Sequence, residues 1–197
     1  MTITDQSTTR TSDTAVPIVE LLDERWSPRS YDPEATISDE QLTALLEAAR
    51  WAPSASNMQP RRFIVGRRGT STFDTILANL MGFNTVWAGN AAALIVAIAE
   101  ASTEEGEARR WAEYDLGAAM AALGVQAHAE GLHTHQMGGI EVGGLRTAFD
   151  LPERFVPVTI TAVGVVDSAD KLPEQLAERE TLPRTRLPLD DLVIVRD

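Results

Sequence analysis

The segment "RWSPRS" sets Arg25 and Arg29 four positions apart around Trp26, Ser27 and Pro28, and a second basic point, Arg184 and Arg186 in "LPRTR", comes late in the chain. A planar guanidinium pairs bidentately with phosphate oxygens, so two or three converging arginines would hold a phosphate even in an acidic protein. Between them, "WAPSASNMQP" joins a helix end to a Pro-Ser turn, an asparagine and a Gln-Pro step. Turns of this kind expose backbone N–H groups and short polar side chains against which a polar ligand can lie. Ser, Asn and Pro are also ordinary turn formers, so the segment alone fits a plain connection equally well. His128, His133 and His135, with Glu130 nearby, are potential metal donors, but they lack HExxH-like spacing. We read them as solvated or hydrogen-bonded side chains and expect no metal site. His135 is near enough to Met137 and Gly138 in sequence to line a ligand pocket.

The elements that position these groups belong to a chain of 197 residues, 44% hydrophobic and 23% charged, which fits one globular domain with a sizeable core. A formal net charge of −12 repels phosphates at long range, which argues against nucleic acid and anionic membranes as partners. Any bound phosphate then needs a local basic pocket. There is no cysteine, which excludes disulfides, iron–sulfur clusters and thiolate zinc. Residues 1–15 are polar and Thr/Ser-rich without an apolar signal core, so they read as a disordered tail preceding a single domain over 16–197. The cytoplasm is the default location. The longest apolar run, "AAALIVAIA", is about half the roughly 20 residues of a spanning helix and reads as a buried strand.

Helical and strand signals alternate. "SDEQLTALLEAARWAP" opens with Ser38 three residues before Gln41, a capping box, and places Leu42, Leu45, Leu46 and Ala49 on one face before Pro53. "RRFIVG" and "AAALIVAIAE" predict strands, and "STFDTILANLMGFNTVW" between them predicts a helix. A long alanine-rich helix is predicted from about Glu107 to Gly131, with Gly131 as its C-cap. The acidic run "EASTEEGEARR" before it reads as a solvated loop and helix start. "EVGGLRTAFDLP" predicts a short helix and "VPVTITAVGVV" a buried strand, while "ERETLPRTRLPLDDLVIVRD" reads as an extended arm able to reach another subunit. The sum is an α+β domain.

In this order the motifs resemble the FMN-dependent nitroreductase family over about Val19 to Val193. They are Arg25, Ser27 and Arg29 in RxSxR form, "APSASNMQP" at 52–60, "YDLGAAMAALGVQAHAEGL" at 114–132, "MGGI" at 137–140, and the closing "RTR". The resemblance implies a mixed sheet sandwiched by helices, an intimate homodimer, and FMN lying in a groove at the interface. It implies that Arg25, Ser27, Arg184 and Arg186 hold the phosphate and ribityl chain. Arg29 then lies beside the pyrimidine edge, where a cation favours the reduced ring as negative charge develops. Pro53, Ser54, Ala55 and Asn57 match the turn that touches the flavin of the neighbouring chain, and Asn84 matches an amide against the pyrimidine ring. Met137, Gly138 and Gly139 match the segment whose backbone N–H approaches flavin N5, with Gly139 and Arg29 as the groups nearest the chemistry. Two positions depart from the pattern. Trp26 stands where a basic or polar residue is common, either stacking beside the ribityl chain or packing in the core or interface. Arg61 stands where tryptophan is common.

The implied activity is oxidation of NADH or NADPH through FMN in a ping-pong cycle, with a small electron-poor acceptor such as a nitroaromatic, quinone or enone taking the electrons. A non-catalytic flavin-binding or flavin-storing protein would keep the same phosphate clamp and block the nicotinamide site.

Overall fold

The computed structural model describes residues 12–196. Residues 1–11 of the expected tail lie outside the described residues, and Ser12 is tied down, its N–H donating to Asp23 Oδ1 at 2.7 Å and its Oγ to the Asp23 carbonyl at 3.0 Å. In chain order the elements that position the site begin with α1 (Glu20–Glu24), α2 (Asp39–Trp51), β1 (Arg61–Arg67), α3 (Ser71–Leu77), α4 (Asn84–Trp87) and β2 (Ala93–Glu100). They continue with α5 (Ala112–Ala129), β3 (His133–Met137), α6 (Val142–Ala148), β4 (Phe155–Gly164), α7 (Glu174–Thr181) and α8 (Leu189–Leu192). The strands form one sheet in the order β1-β2-β4-β3, and each pairing is antiparallel, so within the described residues the sheet expected to be mixed carries no parallel pair. No helix among the described residues is long and apolar enough to cross a membrane.

Strand β2 is buried along its whole length, and its alternation divides the core. Ala93, Ile95, Ala97 and Ala99 pack with Leu42, Leu45 and Ala49 of α2 and Leu116, Met120 and Leu123 of α5. Leu94, Val96 and Ile98 point the other way, toward Phe73 and Ile76 of α3, Leu145 of α6 and Leu176 of α7. Because side chains alternate across a strand, one apolar run supplies both faces of the sandwich. Helix α2 starts as predicted, with both halves of the Ser38–Gln41 capping box made. Helix α5 ends in a Schellman motif: Gly131 adopts φ +74, its N–H reaches the His128 carbonyl, and the Leu132 N–H reaches that of Ala127 at 2.8 Å.

Three expectations are corrected. Helix α5 starts at Ala112 and not near Glu107, because the chain before it folds back in a Ser102–Ala108 bridge. The single helix expected over 71–87 breaks after Leu77. Met81 donates its N–H to the Gly139 carbonyl at 2.9 Å, Glu141 donates to the Asn79 carbonyl, and Leu80 bridges Ile140. Pairing with the 139–141 segment thus replaces the helical ladder. The stretch read as an arm from Glu178 is still helical through Thr181, and the extended part is 182–188. Strand β3, "HTHQM", had no apolar run to announce it. Its register against β4 is what makes it a strand.

Candidate functional site

The two basic clusters meet. Arg25, at the end of α1, shares a cavity of ≈ 400 Å³ with Arg184, Thr185 and Arg186 of the arm and with Ser12 and Asp13. An adjoining cavity of ≈ 280 Å³ is lined by Arg25, Trp26, Ser27, Arg179, Arg184 and Arg186. The family resemblance, and not the spacing, implied this meeting of residues about 160 positions apart; Arg179 was not among the expected residues. The arm is anchored by Arg184, whose Nη1 donates to the Asp23 carbonyl. Burial first, and then the Arg186 charge, hold the Arg25 pKa below the usual arginine value. Like charges brought together in a half-buried pocket are the electrostatic arrangement that an incoming anion relieves.

Around this pocket the segment from Trp26 to Tyr31 is fixed from several sides. Trp26 is buried and meets the His133 ring edge-on with centroids 6.2 Å apart. His135 Nδ1 lies 2.8 Å from the Pro28 carbonyl, which requires that nitrogen to carry the proton. The carboxylate of Glu180, on α7, accepts the N–H of Arg29 at 2.6 Å and that of Ser30 at 3.1 Å, and its other oxygen lies 3.5 Å from Arg29 Nη1. Ser30 Oγ donates to the Ser168 carbonyl at 2.6 Å. Of the two readings given for the histidines, solvated or hydrogen-bonded, His135 takes the second, and all three rings stand against other rings. His128 and His133 stand 5.0 Å apart, and His135 lies 4.7 Å from Trp87. Burial pushes His133 down to about 4, helped by His128 and Arg25. It pushes His135 to about 4 as well, against the raising effect of the Pro28 carbonyl.

A second group gathers where α3 breaks. The Asn84 amide lies beside Gly139, whose added Cβ would come 3.4 Å from Asn84 Nδ2, while nothing lies within 4 Å of one added at Gly138. Met137 is 2% exposed and its side chain belongs to the core, so it is not brought to an open surface with Gly138 and Gly139.

The turn at Pro53, Ser54, Ala55 and Asn57 lines neither arginine cavity. It is a strained loop held by long-range partners: Ser56, Asn57 and Gln59 all have φ near +50, in the left-handed region. Asp115 of α5, 3% exposed, accepts the Ala55 N–H at 3.1 Å, and Ser54 Oγ accepts the Gln59 N–H. Arg109 Nη1 donates to the Met58 carbonyl at 3.1 Å. Arg61 donates through Nη2 to the Arg50 carbonyl at 2.6 Å and the Ala52 carbonyl at 2.9 Å, so it caps α2. Sequence reasoning missed Glu180 and Asp115 because each acts on a residue 60 or more positions away.

Comparison with known proteins bears on the fold and the family. The nitroreductase family profile matches residues 22–74 and 66–165. A solved oxidoreductase containing FMN is 36% identical with a TM-score of 0.87, covering 97% of this chain and 96% of its own. A candidate nitroreductase of Desulfovibrio desulfuricans, solved in complex with FMN, is 26% identical with a TM-score of 0.73 over 93% of this chain and 99% of its own. The candidate NAD(P)H nitroreductase YdgI of Bacillus subtilis (strain 168) is 28% identical over 185 residues, 74% of this chain and 87% of its own length. From the α1 end of the arginine pocket through the 137–140 segment to β4, the matched residues carry most of the described fold, and the chain belongs to the nitroreductase family.

Proposed function

We propose that the chain is an FMN-dependent NAD(P)H oxidoreductase that works as a homodimer and reduces small electron-poor acceptors. The observation that carries the reading is the convergence of Arg25, Arg184 and Arg186 on one cavity in a chain of net charge −12. When bound there, FMN would supply two-electron chemistry, accepting electrons from NADH or NADPH and delivering them to the acceptor. The chain's own residues bind and orient. Arg25, Arg184 and Arg186 neutralise the phosphate, Ser27 offers a hydroxyl beside them, and buried Trp26 forms part of the wall. Arg29 offers positive charge toward the pyrimidine edge, Asn84 offers its amide, and Gly138 and Gly139 leave room for close approach to backbone N–H groups.

Pro53, Ser54, Ala55 and Asn57 serve the flavin of the partner chain, which fits their not lining the arginine cavities of their own chain. The dimer is further supported by exposed apolar side chains along the arm and near the turn, among them Trp51 at 76%, Tyr114 at 76% and Ile194 at 98%. Steady-state oxidation of NADH and NADPH, with and without a nitroaromatic acceptor, tests the activity. Acceptor-dependent turnover is expected. FMN-loaded protein that oxidises neither nucleotide would leave only a flavin-holding role.

A further inference from the structure

We infer that Glu180 is a positioning residue for Arg29 and sets how much of the Arg29 charge reaches a bound flavin. The inference rests on the reading that Arg29 lies at the pyrimidine edge. Glu180 is 4% exposed and sits on the last turn of α7. One of its oxygens takes two consecutive backbone N–H groups, those of Arg29 and Ser30, which fixes the backbone from which the Arg29 side chain departs. The other lies 3.5 Å from Arg29 Nη1, so one carboxylate holds both ends of the same residue.

A neutral amide oxygen could accept the same backbone N–H groups without the cost of burying a charge. The negative charge is therefore the feature that backbone satisfaction alone does not require, and it faces the guanidinium. The Arg29 side chain remains 23% exposed, so its far side is open to a ligand while its near side is countered. Paired in this way, Arg29 presents a muted field and not that of a bare cation. Four residues beyond Glu180 comes Arg184 of the phosphate cavity, so α7 joins the arm to the loop that carries Arg25 and Arg29.

The test compares Glu180→Gln, Glu180→Asp and Arg29→Ala in FMN-loaded full-length protein, measuring the flavin reduction equilibrium against reference dyes and FMN affinity by titration of apo-protein. Glu180→Gln is expected to make the flavin easier to reduce, by about tenfold in that equilibrium, the scale of one charge removed at an effective dielectric of about 20. Its FMN affinity should change less than threefold. Arg29→Ala should move the equilibrium the opposite way, and adding Glu180→Gln to it should shift it by less than half the factor seen with Arg29 present. Glu180→Asp keeps the charge and should lie between wild type and Gln, which carries the test if the Gln variant does not fold. In apo-protein, hydrogen exchange at the Arg29 and Ser30 amides should quicken in Glu180→Asp. If Arg29→Ala shifts the equilibrium and neither Glu180 variant does, Glu180 is a structural acceptor and the inference fails alone. If Arg29→Ala leaves the equilibrium unchanged, the placement of Arg29 is wrong and both fall.

Discussion

Replacing Arg61 by methionine removes the group that ties the strained turn over residues 53–59 to α2. Two hydrogen bonds from a charged donor to the Arg50 and Ala52 carbonyls are lost, about 1.5 kcal/mol each at the lower end of the range for charged donors. Offsetting this, Arg61 Nη1 is buried without a protein partner, and methionine removes that orphan donor, worth about 1 kcal/mol. Methionine also fits the volume of the arginine stem in a residue only 7% exposed. The net is a loss of about 2 kcal/mol, or roughly 1 M in urea midpoint for a chain of this size. Urea unfolding followed by circular dichroism measures it, and hydrogen exchange at the Ala55 amide should quicken as the strained turn loosens. Arg61→Lys keeps the charge without the planar fork and should fall in between. A midpoint shift below about 0.2 M for Arg61→Met would refute the claim that the guanidinium holds the turn.

Gly66→Ala should be severe. A Cβ there would lie 2.5 Å from the Phe73 backbone nitrogen and 2.6 Å from its Cα, so α3 must move off β1, and loss of soluble expression or several kcal/mol of stability by urea unfolding is expected. His133 and His135 are held near 4 in the fold against about 6.5 in the unfolded chain, so the unfolded state binds more protons between those values. Stability is then full above about pH 6.5 and falls as pH drops toward about 4; urea midpoints at about pH 7 and 5.5 should differ, and the His133→Gln and His135→Gln variants should each reduce the difference. Arg25→Ala or Arg186→Ala should weaken FMN binding by roughly 1.5–3 kcal/mol in titrations of apo-protein while leaving the potential of retained flavin nearly unchanged. Light scattering at low micromolar concentration should give the mass of a dimer, and a monomer with full flavin occupancy would contradict the shared site.

Local chemistry made part of this fold legible. The capping box of α2, the buried alternation of β2 and the Gly131 stop of α5 are each written within a few residues. What failed was where distant backbone competes with a local signal. The spacing over 71–87 is helical, yet residues 79–81 pair with 139–141 and the helix ends early. Strand β3 is polar because two of its five residues are the histidines that close over Trp26 and Trp87, so it carries no hydrophobic alternation to read. In the site, the arginines were visible as types, but their meeting across about 160 residues came from the family resemblance and not from spacing. Glu180 falls in the stretch read as an arm and Asp115 in the predicted long helix, and only their burial against backbone N–H groups marks them.

The central claim is that the arginine cavity holds FMN that accepts electrons from a nicotinamide. Its most direct test is to release the ligand from purified protein by heat, identify it by mass spectrometry, and titrate the loaded protein anaerobically with NADH and NADPH. FMN at about one per chain is expected, with its visible absorbance bleached by at least one of the two nucleotides. A colourless protein that added FMN does not reconstitute, or bound flavin that neither nucleotide bleaches, would contradict it.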